Sequence, residues 1–143
     1  MSQVGDLGMS VGYVLKQAAA ALRGAMDDAL RPLDLTVSQY SCLEVLGQRS
    51  GLSNSELARA TFVTRQAMNQ VLRGLQERGL LTRPAEASHG RSRPTELTDE
   101  GRRALAAASR AVAAVEQRML AGFDDDGRRR LLGDLLTCRD AVS

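Results

Sequence analysis

The chain has 143 residues, which suits one domain of ordinary size and is too short for two. Hydrophobic residues make up 43% and charged residues 25%, so neither a disordered chain nor a membrane protein is indicated. No apolar run reaches the roughly 18 residues that span a bilayer. The first basic residue is Lys16, so the N-terminus does not resemble a signal peptide. The net charge is only +2, but residues 59–93 hold seven arginines against two glutamates, so positive charge is concentrated in the middle of the chain.

Two helices are predicted in the first third of the chain. Apolar residues recur every three or four positions across residues 11–33, which indicates an amphipathic helix, and Pro32 ends it. Thr36 opens a second helix, because Gln39 three residues later completes a capping box. Gly51 ends that segment. Its buried face is expected to carry Tyr40, Cys42, Leu43, Val45 and Leu46.

A helix-turn-helix is predicted next. Ser53 and Glu56 form a second capping box that begins a short helix. Thr64 then caps a longer helix that runs to Arg78, and Gly79 suits the left-handed residue that follows a helix. The apolar stripe of this longer helix consists of Met68, Val71, Leu72 and Leu75. Two helices joined by so short a turn are the helix-turn-helix pattern.

A β-hairpin is predicted after the helix-turn-helix. Residues 80–84 and 94–97 are short extended pieces on either side of the turn-rich stretch 86–93. A proline lies on each side of this stretch, which suits edge strands. A hairpin in this position is a wing.

Two further helices are predicted at the C-terminal end. Thr98 begins a long helix with acidic residues at its positive end, and Asp124 begins the last helix. The apolar seam of the long helix consists of Leu105, Ala108, Val112, Val115, Met119 and Gly122. The apolar face of the last helix consists of Leu131, Leu132, Leu135 and Leu136. We expect both to be buried mainly between two subunits, because a single chain leaves them uncovered.

The predicted fold class is therefore mainly α: a winged helix-turn-helix with a small β-hairpin wing and a helical dimerisation region built from both chain ends. We assign residues 1–35 to an N-terminal dimerisation helix, residues 36–97 to the winged helix-turn-helix, and residues 98–143 to C-terminal dimerisation helices.

The outward face of the helix that Thr64 caps carries side chains typical of DNA recognition. That face consists of Arg65, Gln66, Asn69, Gln70 and Arg73. Arginine pairs with guanine, and asparagine and glutamine pair with adenine. A face that is merely solvated usually mixes Glu with Lys, whereas this one has no acidic residue before Glu77. We therefore predict that Thr64 and this face bind DNA.

The predicted wing tip adds a second candidate DNA contact. An arginine on such a loop can enter a narrow minor groove. The alternative is that the tip is an ordinary surface turn with a few charges. Its position directly after a recognition-type helix favours a contact with DNA. The tip consists of Ser88, His89, Gly90, Arg91, Ser92 and Arg93.

The chain resembles the MarR family of winged helix-turn-helix regulators over nearly its whole length. The resemblance rests on a series of segments in a fixed order, which comprises Arg31-Pro32-Leu33, residues 35–40, 53–58, 64–69, 75–81 and 91–93, and Leu97-Thr98-Asp99-Glu100-Gly101-Arg102. It implies a homodimer with interlocked terminal helices, a recognition helix in the major groove and a wing arginine in the minor groove. It also implies a repressor that a small aromatic or phenolic effector releases from DNA. The chain departs from the family at His89-Gly90-Arg91, where the family often has Asp-x-Arg.

Several other residues are candidates because of their positions. Ser38, Ser53 and Asn54 lie at helix starts, where we expect contacts with the DNA backbone. Tyr13 and Tyr40 are candidates for an effector pocket, although core tyrosines with satisfied hydroxyls are the more common case.

The sequence offers little for chemistry other than DNA binding. Cys42 lies among apolar neighbours, where a thiol is usually inert, and Cys138 lies near the C-terminus. Two cysteines are too few for a disulfide scaffold, so a reducing cytoplasm fits best. His89 is the only histidine, and neither zinc-ligand spacing nor a catalytic acid and base pair is present. We expect no enzyme, no metal, no cofactor and no membrane partner. The alternative to a double-stranded-DNA-binding regulator is a helical protein-interaction module of the same fold that no longer binds DNA.

Overall fold

The computed structural model describes residues 6–83 and 95–143. After a short 3-10 turn at Leu7–Met9, the chain forms α1 and α2, then a closely spaced pair of helices, a two-stranded antiparallel sheet, and two long helices. The bounds are α1 Val11–Leu30, α2 Val37–Gln48, α3 Asn54–Ala60, α4 Arg65–Glu77, β1 Leu81–Thr82, β2 Glu96–Leu97, α5 Asp99–Met119 and α6 Asp125–Val142. This arrangement confirms the predicted fold class.

The helix starts are where side-chain capping predicts them. In each case the side-chain oxygen of the capping residue accepts a hydrogen bond from the backbone N–H three residues later, which satisfies one free donor of the first turn. The capping residues predicted in this way and found are Thr36, Ser53, Thr64, Thr98 and Asp124. The two predicted capping boxes, which pair Thr36 with Gln39 and Ser53 with Glu56, are both complete.

Helices α1 and α4 end shortly before a proline and a glycine, respectively. α1 ends at Leu30, two residues before Pro32, and a 3-10 turn then leads to Asp34 in the left-handed conformation. Gly79 follows α4 with a φ of +74°, as expected for the residue after a helix.

The core lies among α2, α3, α4 and the strands, and the end of α1 closes it. Its largest fully buried side chains are Leu30, Leu43, Leu57, Met68, Leu72, Leu75 and Leu81. Met68, Leu72 and Leu75 belong to the predicted stripe of α4, and Val71 beside them is partly buried. This packing keeps α4 in place and leaves its opposite face in solvent.

The root of the predicted hairpin is present. β1 and β2 are antiparallel, with Leu81 opposite Leu97 and Thr82 opposite Glu96. The predicted wing tip lies in residues 84–94, outside the described residues.

The expectation that the seam of α5 is buried mainly between two subunits is wrong. α5 packs along α1 and α2 of the same chain, so Ala108 and Val115 are buried within one chain, and Leu105 and Val112 pack against the core. A single chain covers this part of the seam because α1 folds back along α5. The two residues at the end of the seam, Met119 and Gly122, remain exposed.

The apolar surface left open on one chain lies on other parts of the terminal helices. Leu132 of α6 is 60% exposed, and Leu135 and Leu136 beside it are also exposed. On α1, the exposed apolar side chains are Val11, Val14 and Leu15. Among the helices of residues 6–83 and 95–143, none combines the length and the apolar character that crossing a membrane requires.

Candidate nucleic-acid interface

The two faces of α4 differ sharply. Met68, Leu72 and Leu75 are completely buried on one face. The opposite face is exposed and consists of Arg65, Gln66, Gln70 and Arg73, with Thr64 exposed at the helix start. Four of the five side chains predicted to face outward from the helix therefore lie together in solvent, with two positive charges and two amides. Such a surface can donate to phosphates and to base edges.

The turn that joins α3 to α4 is short and held from both ends. The Thr61 hydroxyl donates to the Leu57 carbonyl oxygen at 2.7 Å, and the Ala67 backbone N–H donates to the Thr64 hydroxyl at 3.0 Å. Phe62 between them has a φ of +60°, and its side chain is 94% exposed. The turn thus fixes how α4 leaves α3, which sets the direction in which the exposed face of α4 points.

The start of α3 is held by its capping box. The Ser53 backbone N–H donates to Glu56 Oε1 at 2.9 Å, and the Glu56 N–H donates to the Ser53 hydroxyl at 3.1 Å. The hydrogen bond from the Ser53 backbone N–H is the main cause that lowers the pKa of the Glu56 carboxyl from its ordinary value. The Ser53 hydroxyl therefore serves as a cap within the chain. Ser38 lies in the first turn of α2 and is partly buried.

Asn69 is the predicted recognition residue whose side-chain oxygen is bonded most fully within the chain, whereas Arg65 makes one longer hydrogen bond, from Nη1 to the Ser55 hydroxyl at 3.4 Å. Asn69 Oδ1 accepts one hydrogen bond from Asn54 Nδ2 at 3.2 Å and another from the Arg83 guanidinium at 2.8 Å. The Asn54 side chain is partly buried in this group, and its predicted contact with the DNA backbone stays a prediction. Sequence reasoning missed Arg83 as part of the site. The available signal was its place in the arginine-rich stretch, at the root of the hairpin.

The wing residues Ser88, His89, Gly90, Arg91, Ser92 and Arg93 fall outside the described residues. Their roles stay predictions.

The two tyrosines predicted for an effector pocket lie in different surroundings. Tyr13 is on the exposed first half of α1. Tyr40 is buried in α2, and its hydroxyl donates to Glu44 Oε2 at 2.9 Å. Burial is the main cause that raises the pKa of Tyr40 above its ordinary value.

A cavity between α1 and α5 has a lining suited to an aromatic acid. Its volume is about 370 Å³. Its walls are apolar except for the side chain of Arg118, and they include Leu22, Val115 and Met119. The cavity is lined by these residues rather than by either tyrosine.

The remaining candidates are consistent with structural roles. Cys42 is completely buried, and burial raises the pKa of its thiol to about 12, so it is a poor nucleophile. Cys138 is exposed on α6. Within residues 6–83 and 95–143, no three His, Cys, Asp or Glu side chains are grouped so as to hold a metal ion.

Comparison with known proteins agrees with this geometry. The sequence profile described as "MarR family" matches residues 33–92. The chain is 47% identical over 111 residues to the HTH-type transcriptional repressor Rv2887 of Mycobacterium tuberculosis. The aligned residues cover 78% of this chain and 80% of that protein.

Solved structures of the same relative superpose on this fold. The crystal structure of the M. tuberculosis MarR family protein Rv2887 in complex with DNA matches with a TM-score of 0.77 and 38% identity, over 90% of this chain and 97% of the other. The complex of that protein with salicylic acid matches with a TM-score of 0.76 and 41% identity, over 94% and 98%. The chain therefore belongs to the MarR family and is a DNA-binding transcriptional regulator with a winged helix-turn-helix fold.

Proposed function

We propose that this regulator is a homodimeric repressor that binds a pseudo-palindromic operator and releases it when an aromatic acid binds. The observation that carries the proposal is the exposed face of α4, where two arginines and two glutamines lie opposite a fully buried apolar stripe. Arg65 and Gln66 lie in the first turn, from which side chains of a recognition helix reach base edges. In a symmetric dimer, the two copies of α4 would enter successive major grooves about 34 Å apart.

The proposal divides the chain by role. Residues 36–97 bind DNA, whereas residues 1–35 and 98–143 hold the dimer together. The exposed leucines of α6 and the exposed apolar side chains in the first half of α1 support this division. Both lie in the terminal segments, and exposed apolar patches of this kind mark interfaces with another protein chain. Residues 88–93 would form the tip of the wing, with Arg91 entering the minor groove beside the recognition helix.

The proposed effector is a small aromatic carboxylic acid. A relative with 41% identity over 94% of this chain forms a complex with salicylic acid. The cavity between α1 and α5 supplies apolar walls for a ring and the Arg118 guanidinium for a carboxylate. An acid bound there would lie between α1 and α5, and the start of α5 contacts β2 and the Leu80 backbone at the junction of α4 and β1. It can lower the affinity for DNA only if it binds the DNA-free conformation more tightly.

The alternative, a protein-interaction module that has lost DNA binding, is not favoured. Such a module would tolerate acidic residues on the outer face of α4, whereas that face has none through Arg73. The proposed role is regulatory rather than catalytic, and it places the protein in the cytoplasm, where the DNA of bacterial cells lies.

The test is DNA binding by the purified dimer. A labelled duplex covering the region upstream of the protein's own gene is titrated at several salt concentrations, with a scrambled duplex of the same length as the control. We expect a protected pseudo-palindrome and an affinity for the natural duplex that is at least about a thousandfold above that for the scrambled one. Equal affinity for both duplexes would contradict the proposal.

A further inference from the structure

We propose that Asn69 is a positioning residue that holds Arg83 against a DNA phosphate, rather than a residue that reads a base. The inference rests on the proposed function, since it concerns how the same surface binds DNA. It assigns to Arg83, at the root of the hairpin, a DNA contact that the sequence pattern does not single out.

The side-chain oxygen of Asn69 already accepts two hydrogen bonds within the chain. A side-chain amide oxygen has two lone pairs. On Asn69, one accepts from Asn54 Nδ2 at 3.2 Å and the other from Arg83 Nη2 at 2.8 Å. Its acceptor capacity is therefore used within the chain.

The orientation of this amide is determined by its neighbours. Turning the Asn69 side-chain amide over would place its NH₂ group against two other donors, the Asn54 NH₂ and the Arg83 guanidinium. Because an arginine has donors only, Arg83 sets the orientation of Asn69, and Asn69 in turn sets that of Asn54. The other oxygen in the group, Asn54 Oδ1, is buried and has no hydrogen-bond partner in the described part of the chain. The group thus joins the start of α3, the outer side of α4 and the end of β1.

This arrangement conflicts with base reading by Asn69. An asparagine that recognises adenine uses its oxygen and its NH₂ together, because adenine presents one donor and one acceptor in the major groove. Asn69 could offer its oxygen to a base only after giving up the hydrogen bond from Asn54 or the one from Arg83. The released donor would then need a new partner, and an unpaired donor that is partly buried is costly.

Arg83 is placed to contact the phosphate backbone of DNA. It directly follows β1, which is packed at the side of α4, and its side chain is only partly buried. An element beside a helix that enters a groove lies over the phosphates bordering that groove. Guanidinium has five N–H groups, so the one that Asn69 binds leaves others for the oxygens of a phosphate.

The test is a double-mutant cycle measured by salt-dependent DNA binding. Wild type, Asn69→Ala, Arg83→Ala and the double variant are titrated with the operator duplex over a range of salt concentrations. Thermal melts of each variant establish that it is folded. Gln70→Ala, alone and combined with Arg83→Ala, is the matched control, because Gln70 is an exposed amide next to Asn69.

We expect Arg83→Ala to weaken binding roughly tenfold or more for most sequences. It should also make the slope of log affinity against log salt shallower by about 0.9 for each phosphate that the variant no longer neutralises. Asn69→Ala should shift both quantities in the same direction, and the double variant should match Arg83→Ala alone. The effects of Gln70→Ala and Arg83→Ala should instead multiply.

Two results would overturn the inference. One is a double variant whose affinity is reduced by the product of the separate effects of Asn69→Ala and Arg83→Ala. The other is an Asn69→Ala protein with the wild-type salt slope and a changed preference at one symmetric pair of base positions. Either result leaves the proposed function intact, whereas a folded wild-type protein that fails to bind the operator overturns the function itself.

Discussion

Gly101, in the first turn of α5, lies directly against the backbone of Leu80. A Cβ on Gly101 would overlap the Leu80 carbonyl oxygen and lie 2.9 Å from its carbonyl carbon. Thr98 holds this contact from the other side, because its N–H donates to the Leu80 oxygen at 3.1 Å and its hydroxyl donates to the Gly79 oxygen at 2.7 Å. The start of α5 is thereby fastened to the junction between α4 and β1. We therefore expect a shift of this end of α5 to displace the junction between α4 and β1.

Replacing Gly101 with alanine should disrupt this junction. The obstacle is backbone rather than the end of a flexible side chain, so α5 must shift, and overpacking of this kind costs about 1–3 kcal/mol. We expect a lower free energy of unfolding in urea and weaker DNA binding. Gly24→Ala is the control, because nothing lies within 4 Å of its Cβ position and a helical glycine gains about 0.5–1 kcal/mol from this change. A Gly101→Ala protein as stable as wild type would show that the contact is loose.

The dimer should depend on the exposed leucines of α6. Because Leu132 and Leu135 are exposed on one chain, replacing both with Glu should leave each chain folded and place charges in the interface. We expect light scattering to give the mass of a monomer, with the helical circular dichroism largely retained. Gln48→Glu/Ser50→Glu, which adds the same charge at exposed positions outside the terminal helices, should remain dimeric. A dimeric Leu132→Glu/Leu135→Glu protein would contradict this interface.

Phe62 should be destabilising in the free protein. A non-glycine residue in the left-handed conformation costs roughly 1–2 kcal/mol, and the exposed ring contributes little packing to offset it. We expect Phe62→Gly to raise the free energy of unfolding by about 1 kcal/mol. Phe62→Ala should stay close to wild type, because alanine keeps the strained backbone. Equal stabilities of the Gly and Ala variants would mean that the strain is absent.

Stability should fall at alkaline pH because of Cys42. Burial raises the pKa of its thiol from 9.0 to about 12 in the folded chain. Between these values the unfolded chain has released the proton while the folded chain keeps it, so stability falls as pH rises. The contribution of this one group is about 1.4 kcal/mol per pH unit in that window.

The measurement is the free energy of unfolding between pH 7 and alkaline pH, in a Cys138→Ser background. Cys42→Ala in the same background should show a shallower decline, although it is less stable at pH 7 because a buried side chain is shortened. Parallel declines in the two proteins would mean that Cys42 titrates normally.

Effector response should depend on Arg118. We expect salicylate to weaken operator binding by the wild-type protein. Arg118→Gln should reduce the affinity for salicylate roughly tenfold while leaving DNA binding without salicylate unchanged. Arg110→Gln, an exposed position on the same helix, is the control. If Tyr40→Phe changes the response and Arg118→Gln does not, the effector binds near the tyrosines instead.

The sequence by itself determined the elements of this fold and most of the outer face of its recognition helix. The caps at Thr36, Ser53 and Thr64 are set by hydrogen bonds to the third residue that follows, and the stripe of α4 is set by its helical period. Such features depend on neighbours within one or two turns, so a linear pattern contains them.

Only the tertiary structure decided what covers α5 and what Asn69 binds. The seam of α5 has the same period whether α1 or a second subunit covers it, so the pattern could not distinguish the two. Asn69 accepts hydrogen bonds from Asn54 and Arg83, which are 15 and 14 residues away along the chain. A side-chain amide has the same chemistry whether it faces a base or an arginine, and the choice between them depends on which distant groups folding brings within hydrogen-bonding distance.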